Sequence, residues 1–391
     1  MVSFRAHMPF LLLLTAIFFL TFLGRVILAP LMPTIERELH IGHGQAGSFF
    51  LFVSLGYFAG LFGSGFVSSR LTHRWTIILS IVAAGGALFA VSLSHTLWWI
   101  RWVLILLGLS AGLYIPSGIA ALTDMVDSRD WGKALAVHEI APNLAFVAAP
   151  LLAEALMIWF SWRGVMALLG GAALFIAGAF ACFGRGGASP GEAPSPETLR
   201  VLLTTPSFWI MMALFTLGIG ASLGVYTMLP LYLVAERGME RGLANTLVAL
   251  SRVAGLGVIF VAGWATDRLG PRQALVGVFL STGMVTMLLG ITHGMWLMSA
   301  LFLQPVLTCC FFPAGFAALS KIGPPRFRNV AVSLTIAVAI LLGGGAIPAG
   351  IGILGDEGLF SLGIMLVGGL LVVSIILVQR LKFREEGIEG T

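Results

Sequence analysis

Charge is what this 391-residue chain has least of: Asp, Glu, Lys and Arg together make up 10% of it, against about 25% in soluble proteins. So few charges cannot cover a water-soluble particle of this size, whereas a lipid-facing surface requires none. Soluble enzymes and regulators are excluded, and with 58% apolar residues the chain reads as an integral membrane protein. Cysteine is also scarce. Cys182, Cys309 and Cys310 all lie in apolar runs and are too few for a disulfide framework, so no redox or metal role follows. The net charge of +5 is scattered in small groups between apolar runs rather than gathered on one face, which excludes nucleic acid as a partner. Nucleotide loops, paired metal ligands and nucleophile motifs are missing as well. We therefore expect no catalytic residues, no metal, no cofactor and no enzyme activity.

What is present is a series of long apolar runs. Twelve stretches carry the roughly 20 mostly apolar residues that a membrane-crossing helix needs. They are helix 1 near 8–33, helix 2 near 43–69, helix 3 near 75–93, helix 4 near 97–122, helix 5 near 132–158 and helix 6 near 164–183. Helices 7 to 12 follow near 207–235, 243–266, 273–292, 295–319, 328–354 and 359–379. The first is longer than a signal-peptide core and lacks a cleavage-like exit, so it stays as a membrane helix. The Gly-, Pro- and Ser-rich segment 184–206 is a linker, which divides the chain into six-helix bundles at 1–183 and 207–391. With the N-terminus inside, fifteen Lys and Arg fall on the inner side and four outside, which places both termini in the cytoplasm. The absence of an N-x-S/T acceptor suits a bacterial inner membrane.

The two halves repeat one another. Leu23-Gly24, Pro30-Leu31 and Glu36-Arg37 recur 200 residues later as Leu223-Gly224, Pro230-Leu231 and Glu236-Arg237. Pro116-x-Gly118-x-Ala120-Ala121-Leu122-Thr123 recurs after 197 residues as Pro313-x-Gly315-x-Ala317-Ala318-Leu319-Ser320, and Gly65, Arg70 and Arg74 match Gly263, Arg268 and Arg272 after 198. Three matches at nearly one spacing imply two similar bundles, with a site at their interface near the midplane. The run from 263, Gly-Trp-Ala-Thr-Asp-Arg-Leu-Gly-Pro-Arg, resembles the G-x-x-x-D-R-x-G-x-R loop signature of the major facilitator superfamily. That resemblance implies an all-α membrane protein of twelve transmembrane helices in two pseudo-symmetric six-helix bundles, working by alternating access. It assigns gating or conformational roles to Gly263, Asp267, Arg268, Gly270 and Arg272, and to Arg70 and Arg74 in the first copy. Gly263 would allow close helix approach, Gly270 the tight turn, and Asp267 would cap a helix or pair with an arginine. The first copy departs from the signature, with Ser69 at the aspartate position and Thr72 at the second glycine.

Ionisable side chains inside a bilayer cost about 2.5–3.5 kcal/mol each on insertion scales, so each is a default candidate for function. Six occur: Arg25, Arg101, His138, Glu139, Glu154 and Arg252. With a rise of about 1.5 Å per residue, Arg25 and Arg252 lie at nearly one depth, slightly outward of the midplane, one from each half. Two such guanidiniums would clamp a carboxylate, phosphate or sulfonate. The alternative is that each partners a carboxylate or backbone carbonyls. Their repeat counterparts are Val225 and Ser54, so neither is a fold requirement copied in both halves.

In helix 5, Glu139, Asn143, Phe146, Pro150 and Glu154 share one face. Pro142 frees the carbonyl of His138, and Pro150 that of Phe146. A carboxyl alternately desolvated and exposed can load and unload a proton, so Glu139, assisted by His138, is expected to carry the coupling proton. Asn143 would then touch the substrate or Arg25. The alternative is a permanent Glu139 pair with Arg25 or His138. Glu154 reads as a gate or a snorkelling side chain, and Arg101 as snorkelling. Tyr57, Tyr114 and Tyr226 lie mid-membrane, where they line a cavity or pack, and Gly343-Gly344-Gly345 allows close packing or hinging.

These features lead to a proton-coupled symporter of a small organic anion, acting as a monomer, with the anion, protons and the lipid bilayer as its partners. The alternative is a proton-driven exporter of amphipathic or cationic compounds or of a lipid. Helix 5 lacks the G-x-x-x-G-P-x-x-G-G pattern of drug antiporters, having Ala141-Pro142-Asn143 and Ala149-Pro150 instead.

Overall fold

The computed structural model describes residues 4–191, 202–322 and 328–383. The middle of the expected linker, and Arg200, Arg326 and Arg384 of the charge count, lie outside these residues. Among the described residues all regular structure is helical, because backbone amides surrounded by lipid must find their partners within the segment itself. Eleven helices are long and apolar enough to cross a membrane. In the first half they are helix 1 His7–Leu39, helix 2 His43–Leu71, helix 3 His73–Ser92, helix 4 Leu97–Met125, helix 5 Ser128–Met157 and helix 6 Trp162–Phe183. In the second half they are helix 7 Pro206–Ala235, helix 9 Pro271–Ile291, helix 10 Gly294–Leu319, helix 11 Val330–Asp356 and helix 12 Phe360–Gln379. Helix 8, in two pieces Arg241–Val253 and Gly255–Leu269, completes the two six-helix bundles.

Prolines set the breaks in helices 1 and 5. Helix 1 interrupts at Ile27, next to Val26, whose carbonyl Pro30 cannot serve, and then continues to Leu39, beyond the expected end near 33. Helix 5 breaks at Glu139, beside the His138 carbonyl that Pro142 leaves unserved. Glycines set the close approaches. A β-carbon at Gly56 would run into the Ile105 carbonyl and one at Gly108 into the Val53 carbonyl, so helices 2 and 4 touch backbone to backbone.

Two segments depart from α-geometry. Gly220–Gly224 in helix 7 and Ile340–Ala346 in helix 11 are π-helical, and they face each other, Gly224 lying against the Gly343 carbonyl. The glycine run of helix 11 thus serves close packing: Gly343 meets helix 7 and Gly345 meets Leu51 and Ser54 of helix 2. Wide turns of this kind recur at functional sites because they turn carbonyls away from the helix axis.

Candidate functional site

The two arginines singled out by depth are both buried, each 7% exposed. The Arg25 guanidinium lies over the Tyr57 ring at 4.3 Å and the Phe22 ring at 5.6 Å. Arg252 lies 4.6 Å from both the Phe146 and Tyr226 rings, and its Nη2 donates to the Ser222 carbonyl at 2.7 Å. Ser222 belongs to the π-helical turn of helix 7, so the widened turn supplies the acceptor. Phe22 and Phe146 meet edge to face at 5.1 Å. The two guanidiniums, one per half, are therefore joined through a row of rings from helices 1, 2, 5 and 7. Among the described residues neither arginine has a carboxylate within ion-pair distance, and Arg25 Nε has no hydrogen-bond partner at all.

The Tyr226 hydroxyl donates to the Phe146 carbonyl at 3.1 Å, the acceptor that Pro150 leaves open. Asn143, expected to touch the substrate or Arg25, donates its amide to the Glu139 carbonyl at 3.0 Å, within its own helix. On the other side of helix 5, His138 is fully buried. Its Nε2 lies 2.9 Å from the Tyr114 hydroxyl, which donates to the Leu14 carbonyl at 2.7 Å. Phe18 stacks on the imidazole at 4.6 Å. The Glu139 side chain is 58% exposed, 3.9 Å from His138 Nδ1. Tyr57 thus joins Arg25, and Tyr114 joins His138, through contacts that residue spacing alone does not reveal.

Every side-chain hydrogen bond between the halves, among the described residues, lies near mid-membrane or toward the face away from the chain ends. Glu154 accepts from Arg241 Nη2 at 3.1 Å through Oε2 and from Asn245 at 2.5 Å through Oε1, which also forms an ion pair with Arg241 Nε at 3.0 Å. Arg241 also donates to Thr34 at 3.0 Å, and Asn245 to the Pro30 carbonyl at 3.2 Å. Asp356 of helix 11 accepts the His43 and Gly44 amides of helix 2 at 2.6 and 3.0 Å. Beside it, Glu36 pairs with His43 at 2.9 Å. Glu154 is thus part of a cross-half ion pair, and that face is sealed. Arg101 stacks on Phe52 and Trp98.

On the opposite face, Gly270 takes φ 81°, ψ 153°, and Thr72 takes nearly the same angles, 85° and 157°. The turn survives where the glycine does not. Arg74 Nη2 donates to the Ala181 carbonyl and Arg272 Nη2 to the Leu381 carbonyl, so each arginine holds the far end of its own six-helix set. Arg268 stacks on Trp264 at 4.7 Å. Arg70 is exposed. Two other residues of the signature make few contacts. A β-carbon on Gly263 would meet nothing within 4 Å. Asp267 is exposed and forms no ion pair among the described residues.

The profile of the Major Facilitator Superfamily matches residues 14–295. The chain belongs to the major facilitator superfamily. It is a multi-pass membrane transporter and not an enzyme. Multidrug resistance protein MdtL of Escherichia coli is 26% identical over 325 residues, covering 80% of each chain, and MdtL of Escherichia fergusonii matches to the same extent. Among solved structures, a bacterial homolog of the human lysosomal transporter Spinster, inward-facing and unoccupied, superposes with a TM-score of 0.83 at 15% identity. It covers 96% of this chain and 97% of that one. A peptide transporter POT in complex with sulfate gives 0.76 at 14% identity, over 94% and 93%. These superpositions show the fold alone.

Proposed function

We propose that this superfamily member moves a small organic anion across a bacterial inner membrane by alternating access, coupled to protons, with both termini in the cytoplasm. The observation that carries the reading is the pair of buried guanidiniums, one per half, stacked on linked aromatic rings with no carboxylate to neutralise them. A buried cation without a counter-ion is costly in the resting state, and an anion with an apolar or aromatic body satisfies both the charge and the rings. Binding across the Phe22–Phe146 contact would register which half has moved. Glu139 and His138 are the proton-carrying pair in this reading, and the asymmetry of Lys and Arg supports the orientation.

The names of the curated relatives favour a second reading, export of amphipathic compounds, in which the row of rings carries recognition. Thermal-shift screening against benzoate, benzenesulfonate, phenylphosphonate and a cationic dye separates the two. Stabilisation by the anions that is lost in Arg25→Ala and Arg252→Ala supports the clamp, each change weakening binding by about 30-fold or more, the usual effect of removing one partner of a buried charge pair. Stabilisation by the dye alone, unchanged in both variants, overturns it. In proteoliposomes holding a bound anion from that screen, Glu139→Gln is expected to keep exchange and to lose accumulation driven by a pH gradient.

A further inference from the structure

Where helices 1, 4 and 5 cross, one nitrogen is left without a partner, and the hydrogen-bond geometry says that the other nitrogen of the same ring carries a proton. The Tyr114 hydroxyl lies 2.7 Å from the Leu14 carbonyl oxygen and 2.9 Å from His138 Nε2. A carbonyl only accepts, and a phenol has one proton to give. Tyr114 therefore donates to Leu14, and its oxygen accepts from His138, which puts a proton on Nε2. In the neutral ring Nδ1 is then a bare lone pair. It is buried with no hydrogen-bond partner, and the Glu139 carboxylate stands 3.9 Å away. Leaving a buried polar atom unpaired is costly. Phe18, stacked on the ring at 4.6 Å and 14°, resists a turn that would exchange the two nitrogens.

We propose that Nδ1 of His138 is the seat of the coupling proton, and that Tyr114 is the positioning residue that keeps this nitrogen turned toward Glu139. The inference rests on the proton-coupled reading above and names the atoms it uses. The Glu139 side chain, 58% exposed, takes a proton from water. That proton then passes to the Nδ1 lone pair: the carboxyl O–H bond breaks, an N–H bond forms, and a carboxylate and an imidazolium stand side by side. Nε2–H stays on Tyr114 throughout, so the ring need not move. Rotation of the exposed Glu139 side chain closes the remaining gap, and the new Nδ1–H finds in the carboxylate the acceptor that the neutral state has no use for. Of the groups facing the ring, helix 1 presents Phe18 and the Leu14 carbonyl, helix 4 presents Tyr114 and helix 5 presents Glu139. Only the last two titrate. Because the Leu14 carbonyl belongs to helix 1, which also carries Arg25, the proton seat and the guanidinium are held by one helix.

The test is 15N NMR of the full-length protein, labelled at histidine, in lipid nanodiscs. His138→Gln assigns the ring among seven histidines. If that variant does not fold, paired 13C-valine and 15N-histidine labelling assigns it through Val137–His138, the chain's one Val–His step. At high pH the ring is expected to show a protonated Nε2 and a bare Nδ1, and on acidification Nδ1 gains the proton. Tyr114→Phe is expected to give a mixture of the two neutral tautomers. A neutral ring protonated at Nδ1, an Nδ1 that gains no proton on acidification, or an unchanged tautomer ratio in Tyr114→Phe would each overturn the proposal. Failure of the coupling reading shows differently, as a pH gradient that drives no uptake in the unaltered protein while the tautomer is as expected.

Discussion

The turn between helices 2 and 3 and the turn between helices 8 and 9 have one backbone and two chemistries. Thr72 and Gly270 differ by only a few degrees in φ and ψ, in a region that is strained for a residue with a β-carbon and branched there. Glycine adopts it freely. The first turn, however, has support that the second does not share. The start of the linker runs across it: the His73 and Arg74 amides donate to the Ser189 and Gly187 carbonyls at 3.2 and 2.8 Å, and the Gly191 amide donates to the Ser68 carbonyl at 3.1 Å. Hydrogen bonds on both sides of Thr72 hold it in a conformation it would leave if free. Three linker positions do for the first turn what one glycine does for the second, and the comparison separates the shape of the turn from the residue that provides it.

That difference can be broken or sharpened by substitution. The largest effect is expected from Gly270→Thr, which puts the strained residue where no linker strap crosses. Thermal unfolding in detergent should show a loss of about 1–3 kcal/mol, the usual size of such backbone strain, and an unchanged melting temperature would mean that the turn itself absorbs it. Thr72→Gly should go the other way by about 1 kcal/mol, the relief of strain exceeding the entropy that glycine loses on folding. A destabilised Thr72→Gly variant would show that the hydrogen bonds to the linker, and not the residue, decide the turn. The smallest effect is expected from Gly263→Ala: with no neighbour within 4 Å of the added carbon, stability rises by up to about 1 kcal/mol through helix propensity alone, and transport is unaffected.

The bilayer made much of the architecture legible in sequence. Lipid compels long apolar helices, so their number, their repeat and the asymmetry of basic residues could be read directly. Local rules carried some of the site as well. Pro142 broke helix 5 beside His138, and Pro150 left a carbonyl that Tyr226 takes up. What could not be read is what packing decides. Nothing in Gly220–Gly224 distinguishes a π-helical turn from an α-helical one, yet that turn gives Arg252 its carbonyl. The depth of Glu154 was apparent, but its partners Arg241 and Asn245 stand some ninety positions along the chain. That the Asn143 amide donates to the backbone one turn behind it could not be read from its sharing a face with Glu139. The extension of helix 1 through Pro33 to Leu39 was hidden because Glu36 and Arg37 look like the start of solvent, while Glu36 is in fact buried beside His43.

Asp356 gives the sealed face its own economy of motion. A single carboxylate caps the first amides of helix 2 from the opposite bundle, so separating the bundles uncovers two N–H donors and one anion together, all at the edge of the aqueous phase. Water can solvate each of them the moment they part. The seam therefore opens without stranding a polar group in lipid, and the free energy difference between shut and open can stay small enough for a passing solute to tip it.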